Sequence, residues 1–343
     1  MRACLLLYFL ISAPAAFSQT TRLEDLCQVF HLPDGKDTTT FIIFGSKTDL
    51  NIKKPLFLFR QGSLPMPFIH FVDGKYYLTA PFHFRDYRDE YHFVVIQKPG
   101  VRLVADSTFL NAYPQAIQQP NPPEEFVSKT YLANNHLDRY TAQCRQVLDY
   151  LVKQPWIDSQ KVVFCGGSEG FTVGANLLAN YPAPVTHAIL FSGRTGRRFE
   201  HLIWQTRQQI DQGLLTSEEG QREIDKWYAV WEDICNHPTA IDKKIGDTYY
   251  AWHSFSRNNL ANLLKIRIPL YIAYGTADEE MARELDMLPL EFIAQGKKNL
   301  TLKPYHQHDH QFFELKKDDK GSVVDKIYRG DEVTKDWMEW LRR

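Results

Sequence analysis

Lys161-Val162-Val163-Phe164-Cys165-Gly166-Gly167-Ser168-Glu169-Gly170-Phe171-Thr172-Val173 is the stretch on which the fold turns. It begins as an apolar run and ends with apolar residues at helical spacing, continued by Leu177 and Leu178. Between them stands Gly-x-Ser-x-Gly. A strand that turns at once into a helix brings the residues two before and two after the tip too close for side chains, so Gly166 and Gly170 fit there. Ser168 then stands at the tip on a strained backbone, with the positive end of the following helix behind it.

Similar apolar runs recur on both sides. They are Phe41–Phe44, Leu56–Phe59, Phe93–Ile96, Ala188–Phe191, Leu270–Tyr274 and Leu300–Leu302. Continuous apolarity suits strands covered on both faces, which predicts a mostly parallel sheet flanked by helices, an α/β fold. Tyr140, Cys144, Val147, Leu148 and Leu151 predict one covering helix, ended near Pro155, and Val333, Trp337, Trp340 and Leu341 predict a last one.

Between the runs at Phe191 and Leu270 the rhythm breaks. Trp204, Ile210, Leu214, Ile224, Trp227, Tyr228, Trp231, Tyr249, Tyr250 and Trp252 fill the gap. Ile224, Trp227, Tyr228 and Trp231 are expected on one helical face. The segment reads as a helical lid lobe over about 194–265, its aromatics packing helices together rather than lining a substrate box.

The chain of 343 residues is 44% hydrophobic and 24% charged, with net charge −1, which excludes a disordered polymer and gives no electrostatic reason for a nucleic-acid partner. Arg2, the apolar run Leu5–Ile11 and the small residues Ala16 and Ser18 read as a signal peptide over 1–18, cleaved near Ser18/Gln19. The run is far short of the ~20 residues that span a bilayer, so no membrane insertion is expected and the mature part, 19–343, is expected to be secreted or periplasmic. Cleavage leaves Cys27, Cys144, Cys165 and Cys235, whose pairing the sequence does not choose, although burial suits Cys144 and Cys165.

A serine alcohol needs a base to take its proton and a third group to orient that base. After the run at Leu270 comes Gly275-Thr276-Ala277-Asp278, a carboxylate in a loop. After the run at Leu300 comes His306-Gln307-His308-Asp309-His310-Gln311-Phe312. Parallel strands deliver both loops to the edge that carries Ser168. Glu279, Glu280 and Asp286 are reserve acids, and His306 and His308 reserve bases.

In these residues the chain resembles the α/β-hydrolase superfamily. The resemblance implies Ser168 as nucleophile, His310 as base within Asp309-His310-Gln311-Phe312, and Asp278 as acid at the end of Gly275–Asp278. It also implies an oxyanion hole from the backbone N–H of Glu169 and a second donor after an early strand. Family members commonly carry His-Gly there; this chain has Gln61-Gly62, leaving the donor at Ser63 or Gly62. Arg194 and Arg197, in the basic loop Ser192–Arg198, are candidates for gripping an anionic part of a substrate. No cofactor or metal is expected.

The expected function is a secreted serine hydrolase cleaving a small-molecule carboxylic ester. The alternative is a peptidase like the prolyl oligopeptidases, acting on short peptides, although Phe171 replaces the second glycine usual after their elbow and the chain has no region for their propeller. A metallohydrolase built on His306–His310 lacks one residue of the His-x-His-x-Asp-His spacing. A binding protein without chemistry on the same fold is the remaining class.

Overall fold

The computed structural model describes residues 20–343 except 36 and 182–183; residues 1–18, expected above to be a signal peptide, lie outside the described residues. Strand β1 (Cys27–Asp34) comes first, and the apolar runs become strands β2 (Asp37–Phe44), β3 (Lys54–Arg60), β4 (His92–Ile96), β5 (Ile157–Gly167), β6 (His187–Phe191), β7 (Leu270–Gly275) and β8 (Leu300–Tyr305). They form one sheet in the order β1-β2-β4-β3-β5-β6-β7-β8. The six strands from β4 to β8 run parallel, while β2 is antiparallel to both β1 and β4.

Both faces of the sheet are covered, which is why the strands read as unbroken apolar runs. Leu56, Leu58, Val162, Phe164, Ala188 and Leu190 point to one face, beneath helices α1 (Leu137–Leu151) and α2 (Glu169–Asn180). Phe57, Phe59, Val163, Cys165, Ile189 and Phe191 point to the other, where the C-terminal helix brings Val333, Trp337 and Leu341. Each Val, Leu, Ile or Phe among them contributes about 1.5–3 kcal/mol by leaving water.

The segment between β6 and β7 folds as helices α3 (Glu200–Asp211), α4 (Ser217–Asn236), α5 (Tyr249–Phe255) and α6 (Asn259–Lys265). Thr216 caps α4 through a reciprocal pair with Glu219, whose N–H donates to Thr216 Oγ1 at 3.2 Å. Phe199, Ile234, Tyr249 and Trp252 form a small core with Trp227 and Trp231. Tyr228 departs from the expected face: it is 55% exposed, turned away from Ile224 and Trp231. The end of the segment belongs to the body. Ala251, Phe255 and Leu263 join the main core, and Asn259 Nδ2 donates to Thr172 Oγ1 of α2 at 2.9 Å.

Several elements were not read from the sequence. Edge strand β1 interleaves Gln28, His31 and Pro33 with its apolar residues. A small sheet of Ile69–Val72, Lys75–Leu78 and Val104–Asp106 and a hairpin of Phe313–Lys317 with Val323–Tyr328 lie outside the main sheet, as do helices Ser107–Ala116, Lys129–Asn134, Glu279–Leu285 and Leu288–Ala294 and the short pair Lys244–Ile245 with Asp247–Thr248. No disulfide forms among the described residues; Cys27, Cys144 and Cys165 are buried and Cys235 is exposed. No helix of the described residues is long and apolar enough to cross a membrane.

Candidate active site

Ser168 sits where β5 ends and α2 begins, at φ +54° and ψ −114°, in the strained left-handed half of backbone space. Its N–H donates to the Phe191 carbonyl at 2.9 Å, and its carbonyl accepts from the Phe171 N–H at 3.0 Å. Two glycines make this turn possible. A Cβ at Gly166 would lie 2.3 Å from the Gly170 carbonyl oxygen, and one at Gly170 would lie 2.1 Å from the Arg60 carbonyl oxygen of β3.

The loops after β7 and β8 reach the same edge and are stapled together. The Ala277 N–H donates to the His308 carbonyl at 2.8 Å, and the Gln307 N–H to Thr276 Oγ1 at 2.9 Å. Asp309 shapes the turn around His310, its Oδ1 accepting the N–H groups of Gln311 and Phe313, both at 3.0 Å. Ser192, named from sequence only as the start of the basic loop, donates its hydroxyl to the His310 carbonyl at 2.8 Å.

These loops bring Ser168, His310 and Asp278 into one chain of hydrogen bonds. His310 Nδ1 lies 2.5 Å from Asp278 Oδ2, and His310 Nε2 lies 3.1 Å from Ser168 Oγ. An ionised carboxylate can only accept, so Nδ1 carries the proton and Nε2 is left to accept from the serine hydroxyl. Burial pulls the imidazole's pKa down, but the hydrogen bond and charge of Asp278 outweigh it and raise it above the ordinary histidine value; Arg194 opposes and Asp309 assists.

The reserve acids and His308 are engaged elsewhere, and His306 is exposed. Glu279 accepts from Gln208 Nε2, Glu280 pairs with Arg194 and His201, and Asp286 accepts from the Tyr274 hydroxyl. His308 turns its Nδ1 to the His306 carbonyl, at 2.7 Å. Among the described residues, no three histidine, cysteine or carboxylate side chains gather as a metal-binding set.

A cavity of about 90 Å³ opens beside Ser168 Oγ, lined by Ser63, Glu169, Thr172, Arg194, Phe255 and Met281 among others. Glu169 opens α2, so its N–H is one of the four that a helix leaves unshared. Gly62 abuts the serine: a Cβ there would lie 3.3 Å from Ser168 Cβ. Ser63 follows it into the cavity wall, and Gln61 braces the turn by donating to the Leu64 carbonyl at 3.2 Å.

Of the two arginines singled out from sequence, Arg194 lines the cavity and pairs with Glu280 at 2.6 Å. Arg197 does not; it is half exposed and pairs with Glu200, the first residue of α3. The neighbouring Arg198 takes its place in the wall, stacked on Trp252 and paired with Asp247 at 2.9 Å. Sequence reasoning also missed Lys98. It stands just past the end of β4, 1% exposed, within 2.8 Å of the Glu169 carboxylate. Its place directly after a central parallel strand was the available signal.

No family model matches the chain, and no curated protein matches it. Among solved structures, it is similar to a Bacteroides ovatus protein described as a dipeptidyl aminopeptidase IV, with TM-score 0.53 and 12% identity, over 93% of this chain and 36% of that one. It is also similar to the uncomplexed acylaminoacyl peptidase of Pyrococcus horikoshii, with TM-score 0.52 and 12% identity, over 92% and 41%. A puromycin-hydrolyzing peptidase of Mycobacterium tuberculosis gives 0.50 and 10%, over 83% and 36%. The chain thus spans well under half the length of these proteins. At such identities the likeness is one of fold, and the chain has the α/β-hydrolase fold.

Proposed function

We propose that the protein is a serine hydrolase that cleaves a carboxylic ester of a short acid through an acyl-enzyme. The observation that carries this reading is the hydrogen-bonded series from Ser168 through His310 to Asp278 at the mouth of a cavity. Ser168 Oγ attacks the carbonyl carbon while His310 Nε2 takes its proton. Asp278 holds the ring and stabilises the imidazolium. The N–H groups of Glu169 and Ser63 receive the oxyanion, each worth about 3–4 kcal/mol in the transition state. His310 returns the proton to the leaving oxygen, and water activated by the same imidazole releases the acid. The cavity's small volume and its walls of Thr172, Phe255 and Met281 favour a short acyl group.

The second reading is a peptidase of the prolyl-oligopeptidase kind, favoured by the peptidases among its structural neighbours. Turnover of short p-nitrophenyl esters and aminoacyl p-nitroanilides, by native protein and Ser168→Ala, separates the two. Faster ester cleavage, lost in Ser168→Ala, is the expected result; preference for the anilides moves the assignment to peptidase. Export after cleavage near Ser18/Gln19 belongs to the same proposal, and N-terminal sequencing of protein from a secreting host tests it.

A further inference from the structure

Three neighbouring parallel strands end at the site, and each contributes one part of a buried clip. The loop after β3 carries Ser63, the turn after β5 carries Glu169, and the segment leaving β4 carries Lys98. Lys98 Nζ donates to the Ser63 carbonyl at 2.9 Å and to Glu169 Oε1 at 2.8 Å. The Tyr131 hydroxyl donates to the same Ser63 carbonyl at 3.0 Å. The Lys98 side chain is fully buried and that of Glu169 nearly so. A buried ion pair costs desolvation and is weak evidence of stability, so its position asks for another explanation.

We propose that Lys98 is a positioning residue for the oxyanion hole, clipping Ser63 and Glu169 together and cancelling the carboxylate beside the nucleophile. This inference rests on the acyl-transfer reading above. Held by its carbonyl, Ser63 has its N–H left for the cavity. Glu169, held by its side chain, presents the first N–H of α2. Without the ammonium, a carboxylate one residue from Ser168 would oppose the negative charge that develops on the substrate oxygen.

The groups facing Lys98 are Glu169, Arg60, Asp247, Tyr131 and Tyr140. Burial lowers the ammonium's pKa; Arg60 lowers it further, while Glu169 and Asp247 raise it, leaving it at about 8. The charge is therefore lost progressively as pH rises through about 8.

The test is steady-state hydrolysis of a p-nitrophenyl ester by native protein, Lys98→Met and the charge-free pair Lys98→Met/Glu169→Gln, with melting curves for each. The pair removes both buried charges together, so it leaves no unpaired buried charge as Lys98→Met alone does. The expected result for the folded pair is a kcat lower by about 10²-fold with KM within about threefold. Native kcat falls as pH rises past 8, and this alkaline limb is absent from the pair. In Glu169→Gln, where Lys98 loses its carboxylate, the limb moves to lower pH. A folded pair with native kcat, or a limb that stays in place in Glu169→Gln, overturns the inference. A native protein that neither hydrolyses the ester nor reacts with a fluorophosphonate overturns the acyl-transfer reading instead, and this inference with it.

Discussion

Asp278 accepts the Nδ1 proton of His310 across 2.5 Å, from a loop that the His308 carbonyl ties to the loop bearing the imidazole. The tautomer of His310 depends on this one contact. In Asp278→Asn the amide can donate to Nδ1 and leave the proton on Nε2, where it faces Ser168 and blocks proton acceptance. We predict that kcat falls by about 10⁴-fold with KM held within about threefold. Ester hydrolysis by the folded variant checks this; a loss below about tenfold contradicts the orienting role.

The same contact sets the acid side of the pH profile. A general base works only when neutral, and His310 is neutral only above its own pKa. Asp278 raises that pKa despite the opposing effect of burial. Activity, measured as kcat/KM, is therefore expected to be lost as pH falls through a midpoint above 6.5, the ordinary histidine value. A pH series from 5 to 9 reads it directly, and a midpoint below the ordinary value contradicts the prediction.

Gly170 has no room for a methyl group, since a Cβ there would lie 2.1 Å from the Arg60 carbonyl oxygen. That atom belongs to β3 in the sheet interior and has no side chain to swing aside. Gly170→Ala is expected to cost about 3 kcal/mol or more, above the usual range for overpacking, and to appear as a lowered denaturation midpoint. An unchanged midpoint means the elbow is looser than described.

The strand runs and the elbow were legible in sequence for a physical reason. Strands such as β5, buried on both faces, show no alternation to blur, and Gly166 and Gly170 answer a steric demand that no other residue meets. Edge strand β1 was not legible, because half-buried Gln28 and exposed His31 and Pro33 interrupt its apolar residues. Ser168, Asp278 and His310 stood out through their order and their places after three strands. Lys98 did not, since a lysine is ordinarily a solvated surface residue and only the fold reveals it enclosed. Arg197 and Arg198 lie one residue apart, and the turn into α3 decides which of them faces the cavity.

Thiol chemistry reports on the body independently of the site. Burial pushes the Cys27 thiol up to about 12 and that of Cys144 to about 11, with Cys165 also raised, while Cys235 is exposed. The thiolate is the reactive form. In native protein, Cys235 is expected to react rapidly with an aromatic disulfide reagent, and Cys27, Cys144 and Cys165 only on unfolding. Rapid native reaction at any of those three, mapped by peptide mass, contradicts the packing.

The most direct measurement is intact-protein mass after exposure to a fluorophosphonate, for native protein and Ser168→Ala side by side. Native protein is expected to gain the mass of one phosphonyl group, mapped to the peptide containing Ser168, while Ser168→Ala gains none. An adduct of equal yield on Ser168→Ala, or none on the folded native protein, contradicts a nucleophilic Ser168.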